Sequence, residues 1–141
     1  MVSFEVKNVE MPDLDFSKVE KWLYEVAASY NKQLRSLNYL FCDDEEILKV
    51  NREFLHHDYF TDIITFDYSY KNKVAGDIFV SIDTVRSNAE KLNLSYDMEL
   101  HRVIVHGLLH LCGINDKGSD ERKIMEYHED RALGLYHLID R

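Results

Sequence analysis

The sequence predicts an α+β domain: one four-stranded sheet with about five helices packed on it. Three observations carry this. Short β-branched and aromatic runs alternate with longer stretches of helical periodicity, in the order β-α-β-α-β-β-α-α-α. The 141 residues are 45% apolar and 30% charged, the balance of a chain that can bury a core without staples. One Pro and five Gly leave no linker or low-complexity segment, so residues 1–141 read as a single domain.

Each element has its own signal. Ser3–Val9 sets Phe4, Val6 and Val9 against polar neighbours, a strand. Asp15 or Ser17 can cap a helix to about Tyr30, in which Val19, Trp22, Leu23, Val26, Ala27 and Tyr30 step by three and four. Arg35–Cys42 alternates Leu37, Tyr39 and Phe41, a second strand. Asp43 or Asp44 caps a helix from Glu45 to about His56. Thr61–Tyr70 and Gly76–Ile82 are strands joined by the short segment Lys71–Ala75, which predicts a hairpin. A helix runs from about Asp83 to Leu92. Ser95 starts a long one to Cys112, which Gly113 ends. Asp120 caps the last, to about Leu133.

Composition narrows the function. Nothing approaches the roughly 20 apolar residues of a membrane span, so no membrane partner is expected. The N-terminal segment lacks a basic region followed by a hydrophobic stretch, so no secretory signal is expected. Two cysteines, Cys42 and Cys112, suit a reducing cytoplasm rather than a disulfide framework. With 26 acidic and 17 basic residues the formal charge is −9. Such a chain repels nucleic acid unless its cations gather in one place. No strand leads into a dinucleotide or P-loop glycine motif.

The chemistry gathers at HGLLHLCGIND, residues 106–116. His106 and His110 stand i and i+4 on one helix face, a spacing that can clamp a metal. Gly113 lets the chain turn back, and Asp116 follows it, placed to complete a His-His-Asp set with a fourth position open to water. The same pair can also be hydrogen-bonded core histidines, and both readings stand on spacing alone. Because Val103–Cys112 is otherwise apolar or Gly, the rings are expected in a largely dry environment. Gly107 follows the first His where HExxH peptidases carry a Glu base. Glu99 and Arg102 share the histidine face and are expected to form a salt bridge or to contact substrate. Cys112 projects about 160° from His110, towards the core. His101, His128 and His137 read as surface or packing residues, and the adjacent pair His56-His57 as a helix end. The aromatic residues of 59–70 read as sheet packing rather than base stacking.

The segment resembles the YbeY family, bacterial proteins described as metal-dependent endoribonucleases of ribosomal RNA maturation. The family motif HGxLHLxGYDH matches at His106, Gly107, Leu109, His110, Leu111 and Gly113. The family stretch LNxxYRxxDxPTDVLSFP is similar to VNREFLHHDYFTDIITFD, residues 50–67, and GDIxIS to GDIFVS, residues 76–81. Three departures stand out: Asp116 for the third His, Leu55 for the Arg, and Phe60 for the Pro. The resemblance implies one Zn2+ per chain on His106, His110 and Asp116, in a cleft between the sheet and the long helix. It implies a cytoplasmic enzyme that cuts single-stranded RNA along a basic groove, for which Arg102, Lys71, Lys73, Arg86 and Lys91 are candidates. Implied partners are ribosomal RNA and the ribosome, its small subunit among them, with a ribosome-associated GTPase or ribosomal protein. Two rival readings are a metallopeptidase-like hydrolase and a non-catalytic ribosome-assembly factor with a structural metal.

Overall fold

A computed structural model describes residues 1–56 and 61–139. The elements are β1 (Val2–Lys7), α1 (Phe16–Ser29), β2 (Gln33–Cys42), α2 (Asp44–Val50), β3 (Ile63–Asp67), β4 (Lys73–Ser81), α3 (Ile82–Leu92), α4 (Tyr96–Leu111) and α5 (Ser119–Leu138). The sheet order is β1-β2-β4-β3, with β1, β2 and β4 parallel and β3 antiparallel to β4. The α+β class and the four strands match the sequence expectation.

The predicted hairpin forms, and it is tighter than expected. Register runs from Ile63 opposite Val80 to Asp67 opposite Gly76, and a bridge pairs Tyr70 with Lys73. That leaves Lys71-Asn72 as a two-residue loop, with Lys71 at φ 57, the left-handed conformation such loops require. β4 therefore begins at Lys73 rather than Gly76.

Helix ends depart from expectation for local reasons. α2 stops at Val50, and Asn51–Leu55 winds into a π turn closed by left-handed His56, whose N–H reaches the Asn51 carbonyl. His56 thus takes the predicted helix-end role, while His57 and Phe60 lie outside the described residues. Ser81, not a later residue, caps α3: its hydroxyl accepts from the Thr84 N–H at 3.3 Å and donates to Asp44 Oδ1 at 2.6 Å, tying α2 to α3. Asp120 does not cap α5. Gly118, at φ 86, leads into the helix, and Asp120 sits in the first turn, where its charge suits the helix dipole. α5 runs on to Leu138 because Ala132 and Tyr136 still pack on α1, where Trp22 Nε1 donates to the Ala132 carbonyl at 2.7 Å.

α4 lies directly on the sheet, and two glycines permit it. A Cβ on Gly107 would stand 2.9 Å from Ile78 Cδ1 and 3.0 Å from Ile63 Cδ1. A Cβ on Gly76 would stand 2.7 Å from both Leu111 Cδ1 and the Phe66 carbonyl oxygen. Gly107 over Ile78 and Leu111 over Gly76 mean that α4 runs antiparallel to β4. The buried face of α4 (Leu100, Val103, Ile104, Leu108, Leu111) closes the core against β2 and β4. Tyr39, fully buried, donates its hydroxyl to the Ile104 carbonyl at 2.6 Å, so its polar end is satisfied. His106 and His110 are left facing β3.

Candidate active site

The predicted ligand residues meet in one cleft. Its volume is about 330 Å³, and its walls are Thr61, Asp62, Ile63, Thr65, His106, His110 and Asp116. α4 supplies the two histidines. Gly113, at φ 99, reverses the chain after the helix, and Asp116 returns to the cleft on the loop that follows.

His106 is held on both sides. Its Nδ1 lies 2.7 Å from Glu129 Oε2 and its Nε2 3.3 Å from Asp116 Oδ2. Glu129, on α5, is buried and accepts a second bond from Arg102 Nη1 at 2.9 Å. Arg102 Nη2 lies 3.2 Å from Asp130 Oδ1, and Arg102 Nε stands 3.9 Å from Glu99 Oε1. Glu129 is thus a carboxylate shared between a guanidinium and an imidazole. With its Nδ1–H donated to Glu129, His106 presents Nε2 to the cleft.

Electrostatics follow from this crowding. Burial lowers the His106 pKa, but the Glu129 hydrogen bond and charge, with Asp116 and Asp62, outweigh it and leave the imidazole above its ordinary value. Burial raises Asp62, against the pull of His106. Burial also raises Glu99, against Arg102.

The donor types fit a metal: two imidazoles and a carboxylate, with a further carboxylate fixing one ring from behind. Among the described residues no three His, Cys, Asp or Glu side chains are already gathered tightly enough to hold an ion. His106, His110 and Asp116 are neighbours in one cleft rather than a closed cage.

Some expectations are corrected here. The histidines are less enclosed than expected: on an otherwise buried helix segment they are partly exposed, His106 with 20% of its side chain accessible, because they face the cleft and not the sheet. Arg102 pairs its guanidinium with Glu129 and Asp130 beside the cleft. Lys71 and Lys73 do not line the cleft; Lys73 borders a separate groove at the hairpin end of the sheet. Cys112 packs against the core, and burial pushes its thiol up to about 11, so it stays protonated. His101 packs between Trp22 and Tyr136, and His128 pairs its Nδ1 with the Tyr30 hydroxyl at 2.7 Å.

Two residues escaped the sequence reading. Asp62 lies inside the predicted strand Thr61–Tyr70 and was not singled out. Glu129 lies inside the last predicted helix and was not singled out. Its signal was its spacing: Met125, Glu129 and Ala132 share the buried stripe of α5, and a carboxylate on such a stripe needs a cationic partner.

The family model described as Endoribonuclease YbeY matches residues 1–137. The chain belongs to the YbeY family. It is 55% identical over 138 residues to "Endoribonuclease YbeY" of Phocaeicola vulgatus, covering 98% of this chain and 100% of the relative. It is 54% identical over 134 residues to the protein of that name from Bacteroides thetaiotaomicron, covering 95% and 98%. A solution structure of a Thermotoga maritima protein shares the fold, with a TM-score of 0.67 at 24% identity over 97% of this chain and 92% of that one. Of the departures from the YbeY pattern, Asp116 takes its place in the cleft. Leu55 ends the π turn with 37% of its surface exposed.

Proposed function

We propose that this chain is a metal-dependent endoribonuclease that cuts single-stranded RNA in ribosomal RNA maturation and ribosome quality control. The observation that carries the reading is the His106 imidazole, wired through Nδ1 to buried Glu129 and facing Asp116, His110 and Asp62 with its other edge. Membership of a family named for endoribonuclease activity supports the reaction class.

His106, His110 and Asp116 would hold one zinc ion. When bound, such an ion supplies a Lewis acid that lowers the pKa of water and stabilises charge developing on phosphate oxygens. The protein's own residues do the rest. Glu129 keeps the proton on His106 Nδ1 and the Nε2 lone pair towards the cleft. Arg102 holds Glu129 in place and balances its charge. The Asp62 carboxyl, raised by burial, is the cleft group suited to take a proton from the RNA 2′-hydroxyl or return one to the leaving oxygen. Thr61 and Thr65 offer hydroxyls to the sugar-phosphate backbone.

The proposed partners are ribosomal RNA and the small ribosomal subunit, with a ribosome-associated GTPase or ribosomal protein, in the cytoplasm. Among the described residues no helix is long and apolar enough to cross a membrane. A peptidase reading finds less support: Gly107, where HExxH enzymes carry their base, faces Ile78 and Ile63 of the sheet.

The test is ribosomal RNA end-mapping in cells depleted of the protein and rescued by wild type or by His106→Ala, with purified protein assayed on single-stranded RNA with zinc or chelator. Precursor ends that only wild type clears, together with zinc-dependent cleavage, are the expected result. Full rescue by His106→Ala would overturn the catalytic reading in favour of an assembly role.

A further inference from the structure

The cleft has an unmet need. Its lining contains two carboxylates, Asp62 and Asp116, but no Lys or Arg. The chain carries −9 overall, and in the adjoining pocket that shares Asp62, His106 and Asp116, Arg102 is paired with Glu129 and Asp130 while Arg122 stands among Glu99, Glu126 and Glu129. Affinity for a phosphate backbone comes mainly from cations. They have to lie outside the cleft.

They gather at the hairpin end of the sheet. A groove of about 570 Å³ opens there, bordered by Tyr24, Glu25, Lys32, Gln33, Arg35 and Lys73, among others. Three cations face it against one carboxylate. Lys71, in the hairpin loop beside it, adds a fourth. Among the described residues none of these four cations has a carboxylate oxygen within 4.0 Å, unlike Lys7 and Arg102.

The groove is built rather than incidental. The Gln33 N–H donates to the Asn72 carbonyl at 2.7 Å, fixing the hairpin loop to the start of β2. Register places Gln33 opposite Lys73, and Arg35 follows in the irregularity between Leu34 and Ser36, bordering the same groove. Exposed tyrosines accompany them: Tyr68 is 61% and Tyr70 70% exposed, with the Lys71 ammonium 5.3 Å from the Tyr70 ring centre. Cations interleaved with exposed aromatic faces are what single-stranded nucleic acid binds.

The groove lies beyond the His110 end of the cleft. α4 runs antiparallel to β4, so its His110 end points towards the hairpin. Leu111 sits over Gly76, and Lys73 is three residues further along the strand, roughly 10 Å at 3.3 Å per residue. Lys32 lies close enough to the end of α4 for its charge to act on the Cys112 thiol.

We propose that the Lys32–Arg35–Lys73 groove, with Tyr68 and Tyr70, anchors the single-stranded RNA that flanks the segment in the cleft. This rests on the endoribonuclease reading for its biological sense but not for its test. The backbone is gripped at the hairpin end, and the cleft, poor in cations, contributes chemistry more than affinity.

The experiment measures binding of a 20-nucleotide oligouridine in chelator, so that nothing is cleaved, over a series of salt concentrations. Lys32→Glu/Arg35→Glu/Lys73→Glu is compared with Lys21→Glu/Lys49→Glu/Lys123→Glu, which changes net charge equally at exposed sites elsewhere. The groove variant is expected to bind at least about tenfold more weakly, its log-log salt slope flatter by about 2, at about 0.7 per lost phosphate contact. The control is expected to stay near wild type. Far-UV circular dichroism checks folding, and the same positions changed to Gln give a milder series that must follow the same order. Equal loss in both variants, or no wild-type binding, overturns the proposal. So does a groove variant that binds RNA normally yet fails to bind isolated small ribosomal subunits, which would assign the surface to a protein. A wild type that binds in chelator but never cleaves with zinc refutes the enzyme reading and leaves the groove standing. Cleavage by wild type with equal binding by both variants refutes the groove alone.

Discussion

The hydrogen bond from His106 Nδ1 to Glu129 decides which ring nitrogen faces the cleft, and the Arg102 bond to the same carboxylate holds Glu129 still. Glu129→Gln keeps the shape and removes the charge. Metal affinity, measured by chelator competition, is expected to fall about 10- to 100-fold with the fold intact, the usual cost of losing a partner behind a ligand. Asp62 gives a pH signature. Its raised pKa means that the folded chain holds this proton more tightly than the unfolded chain. Its contribution to stability is therefore full below the unfolded carboxylate pKa of about 3.9 and is lost as pH rises through the raised folded value. In chelator, Asp62→Asn is expected to raise the melting temperature at pH 7 and to lose that gain below about pH 4. At this scale the sequence was readable where a residue's role is local. His106, His110 and Asp116 could be singled out because helical spacing and a glycine turn determine where they point. Asp62 and Glu129 could not, because His106, on which both bear, is 44 and 23 residues away from them along the chain.

Among the elements, α4 bears the most, since it packs on the sheet and presents the histidines at once. Gly76→Ala is expected to destabilise by about 1–3 kcal/mol in denaturant unfolding, because its Cβ would meet the rigid Phe66 carbonyl as well as Leu111. Gly107→Ala is expected to cost less. Its added methyl meets the movable ends of Ile78 and Ile63, and the Ala gains about 1 kcal/mol of helix propensity over Gly. Interiors of elements were legible from periodicity, as with Val19, Trp22, Leu23, Val26 and Ala27 of α1, which are all buried. Ends were less so. Asp120 looked like a cap, but Gly118 starts the helix, and the reach of α5 to Leu138 depends on contacts with α1 that no local pattern announces.

For the whole molecule, the main core runs through α1, β2, β4, α4 and α5 and is built of apolar side chains, with His106 and His110 outside it. Full chelation is therefore expected to leave the far-UV circular dichroism spectrum unchanged and to lower the melting temperature only by the mass-action loss of a bound ligand. Unfolding on chelation would support a structural metal instead. The overall charge of −9 weighs against RNA binding, but composition carries no information on where the cations lie. The sequence by itself determined the fold class, the hairpin, the histidine pair and the family, because periodicity, turn chemistry and motif spacing are local properties of the chain. Tertiary structure alone decided that the histidines open onto a cleft, that Arg102 pairs with Glu129 and Asp130, and that Lys32, Arg35 and Lys73 share a groove. Those outcomes depend on which distant segments pack together, and packing is driven by burial of apolar surface, which has no preferred partner until the whole core closes.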